Sequence, residues 1–229
     1  PGKFAALVGS VECSLCAVGT YAEGYGNSGC QSCPKGTATN LLGQAECPQC
    51  EPGHAAALVG STTCTACAAG DYAEGFGSSG CQSCATGTAT NVTGQAACDQ
   101  CGPGKFAALV GSVECSLCAV GTYAEGSGNS VCQSCPKGRA SSLTGQAECS
   151  LCHPGRSASL AGSTACSECA IGYHAEGSGS ADCQSCATPA WTFQMGSQSC
   201  GACLKDNYYD PTFDGCVLCP GPNNPPDST

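Results

Sequence analysis

Hydrophobic and polar positions along this chain of 229 residues follow neither of the two periods on which most folds are built. There is no helix-length 3.6-residue stripe and no long alternating run, so the pattern predicts turns and very short strand pairs with almost no helix. A different rhythm takes their place. C-x-x-C motifs recur every 17 residues, at Cys13, Cys30, Cys47 and onward to Cys200, and only the last pair, Cys216 and Cys219, falls one residue early. Glycine keeps the same step. One glycine follows the second cysteine of a pair by three (Gly19, Gly36, Gly53, through Gly172), and another precedes the next pair by four (Gly9, Gly26, through Gly196). Glycines at fixed offsets imply backbone positions with positive φ or close chain approach. Two residues after the first glycine the position varies: Tyr21, Ala38, Ala55, Tyr72, Ala89, Phe106, Tyr123. The aromatic rings there are expected to lie across neighbouring disulfides as small satellite cores, in preference to stacking on a ligand.

A longer period overlies the short one. PGKFAALVGSVECSLCAVGTYAEG at Pro1 recurs letter for letter at Pro103, and related segments begin at Pro52 and Pro154, a spacing of 51 residues or three units. The tetrads around Glu23, Glu74, Glu125 and Glu176 keep that spacing too. Such repetition makes the chain an array in which each unit contacts its neighbours. One face is expected to recur every third unit, as in a twisted rod of threefold screw character.

Composition explains why no ordinary core is available. Leu, Ile, Val and Phe number 28 of 229 residues, a share at which disorder is the default unless something else supplies order. Cysteine does so: the 26 cysteines exceed the level that marks a disulfide scaffold. A net charge of −10 from 7 basic and 17 acidic residues argues against nucleic acid or an anionic membrane as partner. No stretch approaches the roughly 20 apolar residues of a membrane span. Pro1 starts in mid-repeat, so the sequence reads as an interior or mature piece of a longer chain.

Tandem C-x-x-C motifs admit three chemistries. Paired as Cys₄ zinc sites with a 13-residue spacer, they would impose a 34-residue period on a super-repeat of 51 and add about −12 of charge to an already acidic chain. Thioredoxin-type redox chemistry uses one activated C-x-x-C on a helix N-terminus, which thirteen copies without that fold do not provide. Structural disulfides remain, with no metal or other cofactor and no enzymatic function. The sequential scheme keeps every unit equivalent. It pairs Cys16 with Cys30, Cys33 with Cys47, Cys50 with Cys64, Cys67 with Cys81, Cys84 with Cys98 and Cys101 with Cys115. It continues with Cys118 and Cys132, Cys135 and Cys149, Cys152 and Cys166, Cys169 and Cys183, Cys186 and Cys200, and Cys203 and Cys216. A crossed scheme (Cys13–Cys33, Cys30–Cys50) preserves equivalence as well, and spacing leaves both open. Each loop contributes roughly 3 kcal/mol by the chain-entropy estimate. Ordering the backbone costs roughly 1–2 kcal/mol per residue, so stacking between units must supply the remainder.

Other residues add little chemistry. His54, His153 and His174 occupy different contexts and read as surface positions. Asn91-Val92-Thr93 is an N-x-T sequon in a loop of an oxidised chain and is expected to carry a glycan. In the last units Pro189 replaces the first glycine and Trp191 occurs once. Asp206, Asp210 and Asp214 match no calcium-loop spacing, so the segment reads as a terminal or transition unit. The organisation expected is tandem repeats over 1–203, a divergent last unit over 204–219, and a Pro-rich tail or linker over 220–229.

The segment CPKGTATNLLGQAECPQC, from Cys33 to Cys50, resembles the ephrin-receptor-like cysteine-rich repeats and is similar to tumour-necrosis-factor-receptor modules. The resemblance extends over Pro1 to about Cys203 in cysteine and glycine spacing. It is looser at the second position, where Pro34 and Pro136 match and Ala17, Ala68 and Ala119 do not. It implies extracellular, elongated, disulfide-stapled rods without catalytic residues. The long, monotonous, Ala/Gly/Ser-rich array also resembles protist and algal surface-fibre proteins such as those of flagellar hairs (mastigonemes). The fold class expected is therefore a small disulfide-rich repeat forming an elongated rod of 17-residue units. Thirteen units advancing roughly 10 Å each would span on the order of 130 Å, with an upper bound of about 210 Å. The function expected is an extracellular structural stalk or filament on a cell or flagellar surface, because a spacer profits from repetition. Its partners would be other copies of the chain, other fibre proteins and glycans, with no nucleic acid and no membrane insertion. The alternative is the ligand-binding ectodomain of a receptor or adhesion protein.

Overall fold

The computed structural model describes residues 1–7, 9–187, 190–192, 194–201, 207–210 and 215–218. Pro189, Asp206, Asp214, Cys203, Cys219 and the 220–229 tail lie outside the described residues. Two compact bodies form. One comprises Pro1–Gly102, Phe106–Ser116 and Ser127–Val131; the other comprises Pro103–Lys105, Leu117–Gly126 and Cys132–Thr229. Both are built from the same unit, and the described residues contain no helix.

The unit begins with a turn that the sequence C-x-x-G sets. In the first body the Ala17 carbonyl accepts from the Thr20 N–H at 3.1 Å. Gly19 sits between them at φ +72°, where a turn of this kind needs a left-handed residue. The chain leaves the turn as a two-residue strand, Thr20–Tyr21, which pairs antiparallel with Gln31–Ser32. Those last two residues are the x-x of the next C-x-x-C, so the cysteine motif itself is the return strand. The hairpin repeats as Asp71–Tyr72 with Gln82–Ser83 in the first body, and as Thr122–Tyr123 with Gln133–Ser134 in the second. The return strand is limited to two residues by the cysteines on either side of it, and its partner starts directly after the turn glycine. The exception is the terminal pair Asn207–Asp210 with Gly215–Leu218, four residues each.

Where spacing leaves two disulfide schemes open, the structure has the sequential one. The first body holds Cys16–Cys30, Cys33–Cys47, Cys50–Cys64, Cys67–Cys81, Cys84–Cys98 and Cys101–Cys115. The second holds Cys118–Cys132, Cys135–Cys149, Cys152–Cys166, Cys169–Cys183 and Cys186–Cys200. Cys216 is disulfide-bonded as well, while Cys13 is free and exposed. Each disulfide closes its own unit, and a backbone bond reinforces it: the Cys33 N–H donates to the Gly19 carbonyl at 2.9 Å, and Cys152 to Gly138 likewise.

Units are joined by main chain. The first glycine donates forward (Gly36 N–H to the Ala56 carbonyl, 2.9 Å), and the second glycine donates back to a cysteine carbonyl (Gly60 to Cys33, 2.7 Å). A third bond runs from Ala56 N–H to the Ser78 carbonyl at 3.1 Å. The second body repeats all three, as Gly138 to Ala158, Gly162 to Cys135 and Ala158 to Ser180. These bonds draw the chains so close that a Cβ on Gly36 would lie 2.1 Å from the Gly77 carbonyl oxygen, two units on. A Cβ on Gly138 would lie 2.0 Å from that of Gly179. Only glycine fits.

The same closeness determines the core. The buried side chains are the second cysteine of each pair from Cys16 to Cys169, Cys149, the alanines two positions after the first glycine where no larger residue stands (Ala38, Ala55, Ala89, Ala140), and a small residue three positions after that glycine. The last of these is Ala22, Ala56, Ala73 and Ala107 in the first body, and Ala124, Ala158 and Ala175 in the second. Every third unit places a hydroxyl there: Thr39 and Thr90 in the first body, Ser141 and Thr192 in the second. The aromatic position expected to form satellite cores is only half-buried. Tyr21, Tyr72 and Tyr123 lie along their hairpins, each hydroxyl donating to the Oε1 of a glutamine on the return strand (Gln31, Gln82, Gln133) at 3.2–3.3 Å. A ring cannot enter the space between units that main-chain bonding leaves. In the second body the regular pattern ends at Gly172, whose N–H donates to the Thr192 hydroxyl at 2.7 Å where the other units use a carbonyl. The ring of Trp191 covers Gly172, taking the place of the opposing glycine backbone.

The two classes of glycine separate in substitution. Gly75, at φ +73° with open space around it, should lose about 1–2 kcal/mol on replacement by alanine from left-handed strain alone. Gly36→Ala should cost clearly more, because backbone must move. Thermal unfolding of both variants with disulfides intact measures the difference, and equal effects would contradict the contact.

Candidate functional site

Disulfide sulfurs are the reactive atoms that this fold positions most regularly. The second cysteine of each pair is fully buried from Cys16 through Cys169, and its partner ranges from buried (Cys149) through half-buried (Cys30 and Cys132) to exposed (Cys81). Two side chains two positions after a first glycine reach the disulfide of the following unit. Ser157 Oγ lies 3.2 Å from Cys183 Sγ, and His174 Nδ1 lies 3.0 Å from Cys200 Sγ.

His174 corrects the expectation of a surface histidine. Its side chain is 12% exposed, and Nε2 stands 3.6 Å from Glu176 Oε1. The Nδ1 atom also faces the Gln184 carbonyl at 3.1 Å. A carbonyl only accepts, so Nδ1 carries the proton and donates to both neighbours. The ligand atoms of His174, Cys186 and Cys200 lie within 4.8 Å of one another, a grouping that could hold a soft metal. The oxidised form has neither free thiolate for it, and the proton fixed on Nδ1 blocks the nitrogen on that side. Nothing in the sequence marks this contact, because 26 residues separate its partners. His54 is half-buried and His153 is exposed.

Asn91, Val92 and Thr93 are all exposed in the loop closed by Cys84–Cys98. The Thr90 hydroxyl beside them engages the Val92 backbone, which leaves the sequon side chains facing solvent. Charged side chains recur at the surface. Glu23, Glu74, Glu125 and Glu176 are exposed, and Arg156 pairs across its hairpin with Glu168. Among the described residues no helix is long and apolar enough to cross a membrane. Of the acidic residues weighed as calcium ligands, only Asp210 is described, on the terminal hairpin.

Residues 104–145 match the sequence model of the family described as tyrosine-protein kinase ephrin type A/B receptor-like. The matched stretch runs from Gly104 to Gly145, the glycine pair in which a Cβ on the first would stand 2.0 Å from the carbonyl oxygen of the second. What the family model spans is thus one complete instance of the contact that spaces the units. No curated protein matches the chain. Tandem disulfide-closed units and this match together indicate an extracellular, disulfide-rich protein.

Denaturation without reductant should expose one titratable thiol from residues 1–201, that of Cys13, and chelators should leave folding unchanged. Thiol titration with elemental analysis checks both. Many free thiols, or stoichiometric zinc, would contradict the disulfide scaffold.

Proposed function

We propose that the chain is a structural extracellular protein, a disulfide-stapled stalk or filament segment that spaces or assembles into a cell-surface or flagellar fibre, without catalytic activity. The observation that carries this reading is where the fold spends its side chains. Cysteine, glycine and alanine hold the units together, mostly through main chain, and the larger apolar residues are turned outward. Leu7, Leu58, Leu109 and Leu160 are 75, 73, 73 and 72% exposed, one per 51-residue repeat. Exposed apolar residues repeated at a constant interval suit contact with further copies of the same repeat, or with fibre proteins of like period. Glycans belong to the same reading, with Asn91 as the acceptor. The family match at residues 104–145 favours a second reading, a ligand-binding ectodomain of a receptor or adhesion protein. In that case the exposed leucines would serve no assembly.

Small-angle scattering and sedimentation of the purified chain separate these readings. The structural role predicts a radius of gyration more than twice the roughly 17 Å of a compact chain of this length. It also predicts concentration-dependent association that weakens when Leu58 and Leu109 are both replaced by glutamine. A compact radius, or association unchanged by the double variant, would contradict it.

A further inference from the structure

The eleven disulfides between Cys16 and Cys200 are not chemically alike, and one differs at both of its sulfurs. In ten of them the second cysteine is fully buried among alanines and backbone. A thiolate attacking the more accessible first cysteine would expel the buried sulfur as an anion into apolar surroundings, which disfavour it. Cys186 is the exception. It is only half-buried, and it opens the unit in which Pro189 stands where the others have glycine. Its partner Cys200 has the His174 Nδ1–H within 3.0 Å. At Cys169–Cys183 a serine hydroxyl approaches the first cysteine in the same way, but Cys169 is fully buried, so no thiolate reaches the sulfur it must attack.

We propose that Cys186–Cys200 is a thiol-exchange site, attacked at Cys186 with Cys200 as the leaving group. An incoming thiolate forms a bond to Cys186 Sγ, and the Cys186–Cys200 bond breaks. Its electron pair stays on Cys200 Sγ, where the His174 Nδ1–H stabilises the new thiolate. The products are a mixed disulfide on Cys186 and a free Cys200 thiolate; sulfur oxidation state is conserved and no further oxidant or reductant is consumed. A leaving thiol whose anion is stabilised departs faster. The Gln184 carbonyl holds the proton on the required nitrogen, and Glu176 flanks the other side of the ring at 3.6 Å. The site accepts a small thiol or a cysteine of a neighbouring protein, and it is independent of whether the array serves as a stalk or an ectodomain.

The test treats the intact chain under native conditions with limiting reduced glutathione, blocks free thiols with an alkylating reagent, and maps adducts by mass spectrometry. Glutathione should appear on Cys186 and the alkyl group on Cys200, several-fold ahead of every other pair among Cys16–Cys183. His174→Tyr should erase that lead. The fold tolerates tyrosine at the equivalent Tyr21, Tyr72 and Tyr123, and Gln184 is positioned to accept its hydroxyl as Gln133 does for Tyr123. A parallel arm with a single-cysteine peptide separates the sources: adducts with both reagents extend the site to protein partners, and adducts with glutathione alone confine it to small thiols. Uniform reactivity across the disulfides, glutathione on Cys200, or an undiminished lead in the tyrosine variant would overturn the proposal.

Discussion

Main chain in contact with main chain at the glycine pairs is the constraint from which the rest of this structure follows. With the first glycine of a unit pressed against the carbonyl of the second glycine two units on, no Cβ can be present at the first position. The bonds that close this gap, Gly36 to Ala56 and Gly60 to Cys33 among them, satisfy backbone groups that a chain so poor in regular structure would otherwise leave to water. The gap then admits only alanine, serine, threonine and the cysteine sulfur. Larger apolar residues such as Leu58 are left outside, where their exposure becomes a property of the surface and not a fault of the core.

Disulfides and backbone bonds divide the stabilisation differently from an ordinary domain. A disulfide closes each unit and limits the unfolded chain, but it joins nothing to the next unit. Joining is left to hydrogen bonds, each of modest net worth, that recur at every step. Extension by further units therefore requires no new side-chain solution, which is the physical sense in which verbatim repetition suits a spacer. Trp191 and the Thr192 hydroxyl stand at the place where this arrangement stops, supplying with side chains what backbone supplies elsewhere.

Much of the fold was legible in the spacing. Glycine three residues after a cysteine required a turn, the absence of either common period excluded helices and long strands, and disulfides followed from cysteine content. The inward-facing residues were not legible. Ala22 and Ala56 carry little hydrophobic weight, and Thr39 and Ser141 at the same position look polar, so no scale marks them as core. Tyr21 and Tyr72 carry the conspicuous rings of the repeat, and their size excludes them from the narrow gap. Disulfide connectivity stayed open because sequential and crossed pairing are both periodic. His174 looked isolated because its contact with Cys200 exists only once the following unit has folded against it.

The central claim is that units closed by disulfides are held to one another by main chain. Residue-resolved amide hydrogen exchange on the intact, oxidised chain tests it most directly. The amides of Gly36, Gly53 and Gly138, which donate to the following unit, should be protected to the same degree as those of Cys50, Cys67 and Cys152, which extend the hairpin ladders by donating back to Gly36, Gly53 and Gly138. Fast exchange at the glycines beside slow exchange at the cysteines would mean closed units strung together without a joint, and would contradict the account.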